Sequence, residues 1–212
     1  MTCKTITLTT AIALAGLASP GVAQAADAAW RAELAPLNAG TTGTEAGGTA
    51  TLTVSGDTLT IRIDASGTAP GIMHLQHFHG FPEGGGTSAC PAAEADSNGD
   101  GLIDLIETEA GAGITMVPFH GDPASMEIVM DSYPVADDAG AYVYEQEVSL
   151  SALEAAFAGK FPGQKLDFDR RVIFLHGVPE ATDLPDSVES LGDVPAHVTL
   201  PIACGSIEVA GG

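Results

Sequence analysis

The chain has 212 residues, with 7 Lys and Arg against 28 Asp and Glu, a formal net charge of −21 and a mean hydropathy of +0.21. A polyanion repels phosphate backbones and anionic lipid surfaces, which excludes general nucleic-acid binding and attraction to a membrane surface. Hydrophobic residues make up 45%, too many for a disordered acidic chain, and the length suits one domain with an elaborated loop.

Residues 1–25 have the form of a secretory signal peptide: Lys4, an apolar and Thr-rich run from Ile6 to Leu17, then Ala23 and Ala25 at the −3 and −1 positions of a cleavage site. The run is shorter than the ~20 residues a spanning helix needs. The mature product is therefore expected to be exported, periplasmic or extracellular, with no membrane segment. Cleavage removes Lys4 and no acid, which takes the charge to −22, and it removes Cys3, which leaves Cys90 and Cys204. Two cysteines in an oxidising compartment most simply form one disulfide.

Residues 26–48 read as a lead-in, Gly- and Thr-rich from Ala39 to Gly48, and residues 49–212 as one β domain. Thr49–Val54 and Thr58–Asp64 alternate apolar and polar residues about the turn Ser55-Gly56-Asp57, which predicts an antiparallel hairpin with one wet face. Further strands are predicted at Met73–His79, Met126–Met130, Tyr142–Leu150, Arg171–His176, His197–Ile202 and Ser206–Val209. A helix is predicted at Ser151–Ala158, with Ser151 and Glu154 at capping-box spacing and Gly159 as a stop. Many short strands with Gly and Pro turns predict an all-β fold, a Greek-key sandwich or flattened barrel with one short helix.

An insert over residues 91–113 carries a complete calcium-loop pattern from Asp96 to Glu107. Asp96, Asn98 and Asp100 converge side-chain oxygens, and Gly101 permits the turn. Leu102 offers its carbonyl, Asp104 ligates directly or through water, and Glu107 closes the shell with two oxygens. Pro91 before the loop and Gly111 after it argue for a lone loop serving stability, with an exit helix of about one turn.

Six histidines remain: His74, His77, His79, His120, His176 and His197. On a strand, residues two apart share a face, so His77 and His79 can meet one ion. Imidazole sets suit copper or zinc. His74 has the opposite parity, and it and His197 read as structural histidines.

Three segments resemble the copper/zinc superoxide dismutase family. Gln76-His77-Phe78-His79-Gly80-Phe81 is similar to that family's H-x-H strand, and Arg170–Leu184 to a late strand that ends in another copper-binding histidine before an acidic loop. Leu200–Ile207 is similar to its C-terminal strand, with Cys204 as one half of the intrasubunit disulfide and Cys90 placed as the other. His120, in Pro118-Phe119-His120-Gly121, sits where the family places the histidine shared by copper and zinc. The resemblance spans roughly residues 49–210. It implies His77, His79, His120 and His176 as copper ligands, copper as cofactor, superoxide as substrate, and a homodimer as the common assembly. In the implied reaction one superoxide reduces the metal and leaves as O2, and a second reoxidises it and takes two protons to give H2O2.

Two departures bear on activity. Between Gly121 and Gly140 there is no histidine, so zinc is not expected, or its site is remodelled. Pro201 stands where the family has a guiding arginine; Lys160, Lys165, Arg170 and Arg171 are the candidates for a compensating positive region. Three readings follow: an exported copper enzyme that dismutes superoxide, a copper-binding or buffering protein on the same fold, and a calcium-stabilised structural domain.

Overall fold

The computed structural model describes residues 26–211 together with Met1; the expected signal peptide lies outside the described residues. In chain order the elements are β1 (Ala28–Pro36), α1 (Ala39–Thr42), β2 (Gly47–Ser55), β3 (Thr58–Ser66), β4 (Gln76–Gly80), α2 (Leu105–Ala112), β5 (Ile114–Pro118), β6 (Tyr142–Ser149), α3 (Leu150–Lys160), β7 (Val172–His176), α4 (Ala196–Thr199), β8 (Pro201–Ser206) and β9 (Glu208–Val209). One antiparallel sheet runs β5-β4-β7-β8-β1-β2-β3-β6, with β9 paired to β1. The connections from β3 to β4 and from β6 to β7 cross between the two halves, so the sheet curls into a Greek-key half-barrel.

Period-2 patterning places the core. Leu59, Ile61 and Ile63 of β3 are buried, as are Leu52 of β2 and Ile173 and Leu175 of β7. Phe78 lies among Phe119, Phe157 and Phe168, with ring centroids 6.0 to 6.1 Å apart. The buried Arg171 guanidinium lies 6.0 Å over Phe78 and 5.9 Å over Phe157, and donates to the carbonyls of Leu166 and Lys165. At the open side of the curl, β6 reaches the opposite half through Tyr142 Oη, which donates to Gln76 Oε1 (3.1 Å). Tyr144 Oη donates to the His120 carbonyl (2.8 Å).

The other face of β4, β7 and β8 is buried too. There Val172, Phe174 and Cys204 form a second apolar cluster with Ala112. The insert is pinned over this face by the Cys90–Cys204 disulfide, which joins residues 114 apart. Replacing Cys204 by Ser is expected to cost about 4–5 kcal/mol, the chain-entropy value for so long a loop. Urea unfolding of the oxidised protein against the variant reads this; equal stabilities would overturn it.

Several boundaries differ from the sequence reading. The lead-in contributes β1 and α1. Met126–Met130 is not a strand: a 3-10 turn at Pro123–Ser125 leads into Met126 at φ 57, outside the extended region. His197 lies in α4, and only from Pro201 does the chain extend. Ser149, not Ser151, caps α3, its Oγ accepting from the Ala152 amide (3.2 Å). The capping box belongs to Asp104 and Glu107 at α2, which runs for 8 residues to Ala112, not for one turn.

Candidate metal centre

The site follows from strand parity. Phe78 points into the core, so its neighbours His77 and His79 both point to the opposite face, where His176 arrives from the end of β7. Ring centroids lie 4.9 Å apart for His77–His79, 4.5 Å for His77–His176 and 6.4 Å for His79–His176. One ligand nitrogen from each of the three lies within 4.8 Å of the others. Phe174 packs against His79 at 4.6 Å.

Two backbone carbonyls fix the tautomers. His79 Nδ1 donates to the Gly113 carbonyl (3.0 Å), and His176 Nδ1 donates to the Thr199 carbonyl (2.6 Å). Each ring therefore carries its proton on Nδ1 and presents an unprotonated Nε2, the usual arrangement around histidine ligands. Gly113 has φ +78, and a Cβ there would lie 2.2 Å from the Gly80 carbonyl, so only glycine brings this carbonyl to His79. Thr115 Oγ1 stands between His77 Nε2 (3.4 Å) and His79 Nε2 (3.3 Å). His77 Nδ1 and His176 Nε2 are buried and have no hydrogen-bond partner. An unpartnered buried polar atom is costly, and two in one cluster fit a site made for an ion.

The cluster is held uncharged. Burial, then the charges of His176 and His79, push His77 well below the usual imidazole value. Burial and His176 bring His79 down to about 3, and burial brings His176 down to about 4. Neutral imidazoles are the form a metal takes.

His120, which the family resemblance places among the ligands, is not one of the three that meet. Its Nε2 donates to the Glu127 carbonyl (2.7 Å), its Nδ1 accepts from the Asp122 amide (3.0 Å), and its ring meets Tyr133 edge-on. Both nitrogens are thus spent on the backbone, because the turn after β5 folds back at residues 122–127. His74 faces away from the cluster, its ring nitrogens 3.0 Å from the carbonyls of His176 and Ala69.

A small cavity of about 50 Å³ opens over His77 and His176. Its other lining residues are Leu75, Leu105, Thr115, Ile128, Met130, Leu191, Val194 and Thr199, none of them charged. The four basic residues proposed to guide an anion are not in this rim. Lys160 bonds the Met126 carbonyl, Arg170 the Gly86 carbonyl, and Arg171 is buried over the aromatic core.

In the loop 96–107 the carboxylates face backbone amides. Asp96 accepts from the amides of Gly99, Asp100 and Gly101, Asn98 Oδ1 from Asp100, and Asp100 Oδ1 from Leu102. Glu107 accepts from Ser97, Asn98 and Asp104. Asp104 is buried, accepting from Glu107 on Oδ1 and from Glu189 on Oδ2 (2.6 Å). The four carboxylates do not form a metal-ready group among the described residues, where the three histidines alone do so. Sequence reasoning missed Asn38, whose side chain bonds Ile103 N, Ile103 O and Pro201 O, tying the loop to β8. It also missed Thr115, Gly113 and Thr199, of which only Gly113 carries a sequence signal, a glycine directly before a strand.

The chain matches no protein-family model and no curated protein sequence. Among solved structures it is similar to a single mutant of a SOD-like protein from Bacillus subtilis, with 15% identity and a TM-score of 0.41 over 83% of this chain and 95% of that one. A double mutant of a SOD-like protein from the same organism gives 16% identity and a TM-score of 0.41, over 82% and 94% of the two chains.

Proposed function

We propose that His77, His79 and His176 hold a copper ion, and that the protein binds and buffers copper after export to an oxidising compartment. The observation that carries this is the pair of buried, unpartnered nitrogens, His77 Nδ1 and His176 Nε2, inside a neutral three-imidazole cluster. All-imidazole donor sets suit copper and zinc, and copper lies highest in the affinity order for such ligands. The ion would supply Lewis acidity and one-electron chemistry. The chain's own part is to hold three neutral rings in fixed tautomers through Gly113 and Thr199, and to surround them with apolar side chains. The disulfide supports an oxidising location, and no helix among the described residues is long and apolar enough to cross a membrane. The loop 96–107 is proposed to take calcium for stability, on the strength of its complete ligand pattern.

Superoxide dismutation is the second reading, favoured by the small opening over His77 and His176, which leaves room for a diatomic ligand. The acidic body and uncharged rim weigh against rapid capture of an anion. Copper-loaded protein decides between them. Stoichiometric Cu(II) with nitrogen-rich electron-spin hyperfine structure and slow superoxide loss supports buffering. Rapid superoxide loss that disappears in His176→Ala supports the enzyme. Failure to bind copper overturns both.

A further inference from the structure

Beside the three-histidine opening lies a second cavity, of about 250 Å³, lined by Ile72, Met73, Met130, Gly177, Val178, Glu180, His197 and Val198. Here two of the chain's five methionines, Met73 and Met130, and a histidine outside the cluster, His197, line a common space. Met130 lines both cavities, so they adjoin. The walls are held by backbone bonds. His74 N donates to Pro134 O, His176 N to Leu75 O and Val178 N to His197 O, which sets Met73 and His197 on either side of the segment that follows His176. Met130 is exposed at 45%, and Met73 and His197 are half-buried, so a solute reaches all three.

We propose that this cavity is a soft-cation site, in which the thioethers of Met73 and Met130 and the imidazole of His197 take Cu(I) or its analogue Ag(I). Thioether sulfur is a soft donor that selects Cu(I) over hard, oxygen-seeking ions such as calcium and magnesium. The apolar walls contributed by Ile72, Val178 and Val198 favour an ion of low charge and weak hydration, and Glu180 is the only charged residue in the lining. The site stands on its own residues. Its role as the entry to His77 and His176, through the shared Met130, rests on the copper reading above.

The test is a titration of mature protein carrying 13C-methyl methionine with Ag(I), a diamagnetic probe. The methyl resonances of Met73 and Met130 should shift, while those of the buried Met116 and Met126 stay in place as internal references. The shifts should survive in His176→Ala, which separates this site from the three-histidine cluster. Met73→Leu with Met130→Leu, close to volume-conserving, should remove one of about two Ag(I) equivalents and leave the fold intact. Silent Met73 and Met130 methyls, or an unchanged stoichiometry in the double variant, would overturn the proposal. Failure of the copper reading shows separately, as unmoved ring resonances of His77, His79 and His176 while the methionine shifts persist.

Discussion

If the three-histidine cluster is the copper site, as proposed, replacing His176 by Ala should lower copper affinity by more than about 100-fold, because loss of a partner one layer outside a metal site already costs about 10–100-fold. The same holds for His77→Ala and His79→Ala. The three rings bring one nitrogen each to within 4.8 Å of the others, and removing any one leaves two. His120→Gln separates this arrangement from the four-ligand set of the dismutase resemblance. It should leave copper affinity unchanged and cost about 1 kcal/mol of stability, since His120 spends both nitrogens on the backbone. Competition with a chromophoric Cu(I) chelator measures the affinities. Equal affinity in wild type and His176→Ala would remove the copper site; a large loss in His120→Gln would restore the fourth ligand.

The metal-free protein should weaken sharply in mild acid. His79 is held down at about 3 and His176 at about 4, against 6.5 for an ordinary imidazole, and His77 also lies well below it. Above pH 6.5 both folded and unfolded chains carry neutral rings, and these groups give no pH dependence. Between pH 6.5 and about 4 the unfolded chain takes up protons that the folded chain refuses, so stability falls as pH falls. Each histidine contributes up to ~1.4 kcal/mol per pH unit in that window. Bound metal should raise stability across this window without flattening the slope, because the folded rings are already neutral there, and should extend the fall below about pH 4 by keeping them unprotonated. Urea midpoints of metal-free protein at pH 7, 6 and 5 check this. A constant midpoint would show that the rings are not buried as neutral groups.

The hairpin β2–β3 was legible because Thr49–Val54 and Thr58–Asp64 each alternate without a break on either side of the turn at residues 55–57, with one face in the core. The His77/His79 pair was legible for the same reason: parity alone puts both on one side of β4. His176 joined them only through the family resemblance, since nothing local shows that β7 lies against β4. β1 was missed because Ala28–Pro36 buries only Ala32 and Leu34 fully, which leaves too weak an alternation to read. β5 was missed because Ile114–Pro118 follows Gly113 and contains a proline, both of which read as turn. His120 shows the limit of motif order: its place in the order of motifs resembled the family's, but the turn at residues 122–127, visible only in three dimensions, bonds both ring nitrogens.

Asp104 gathers more of the molecule than its place in a surface loop suggests. Through Oδ1 it starts α2, whose far end supplies the Gly113 carbonyl beneath His79. Through Oδ2 it holds Glu189, next to Ser190, whose hydroxyl meets Thr199, the residue beneath His176. One carboxylate is thus the common root of two separate arms, each ending on a different imidazole. A disturbance there, by substitution or by an ion drawing the loop inward, would tilt both rings together and change the bite of the cluster without touching any histidine.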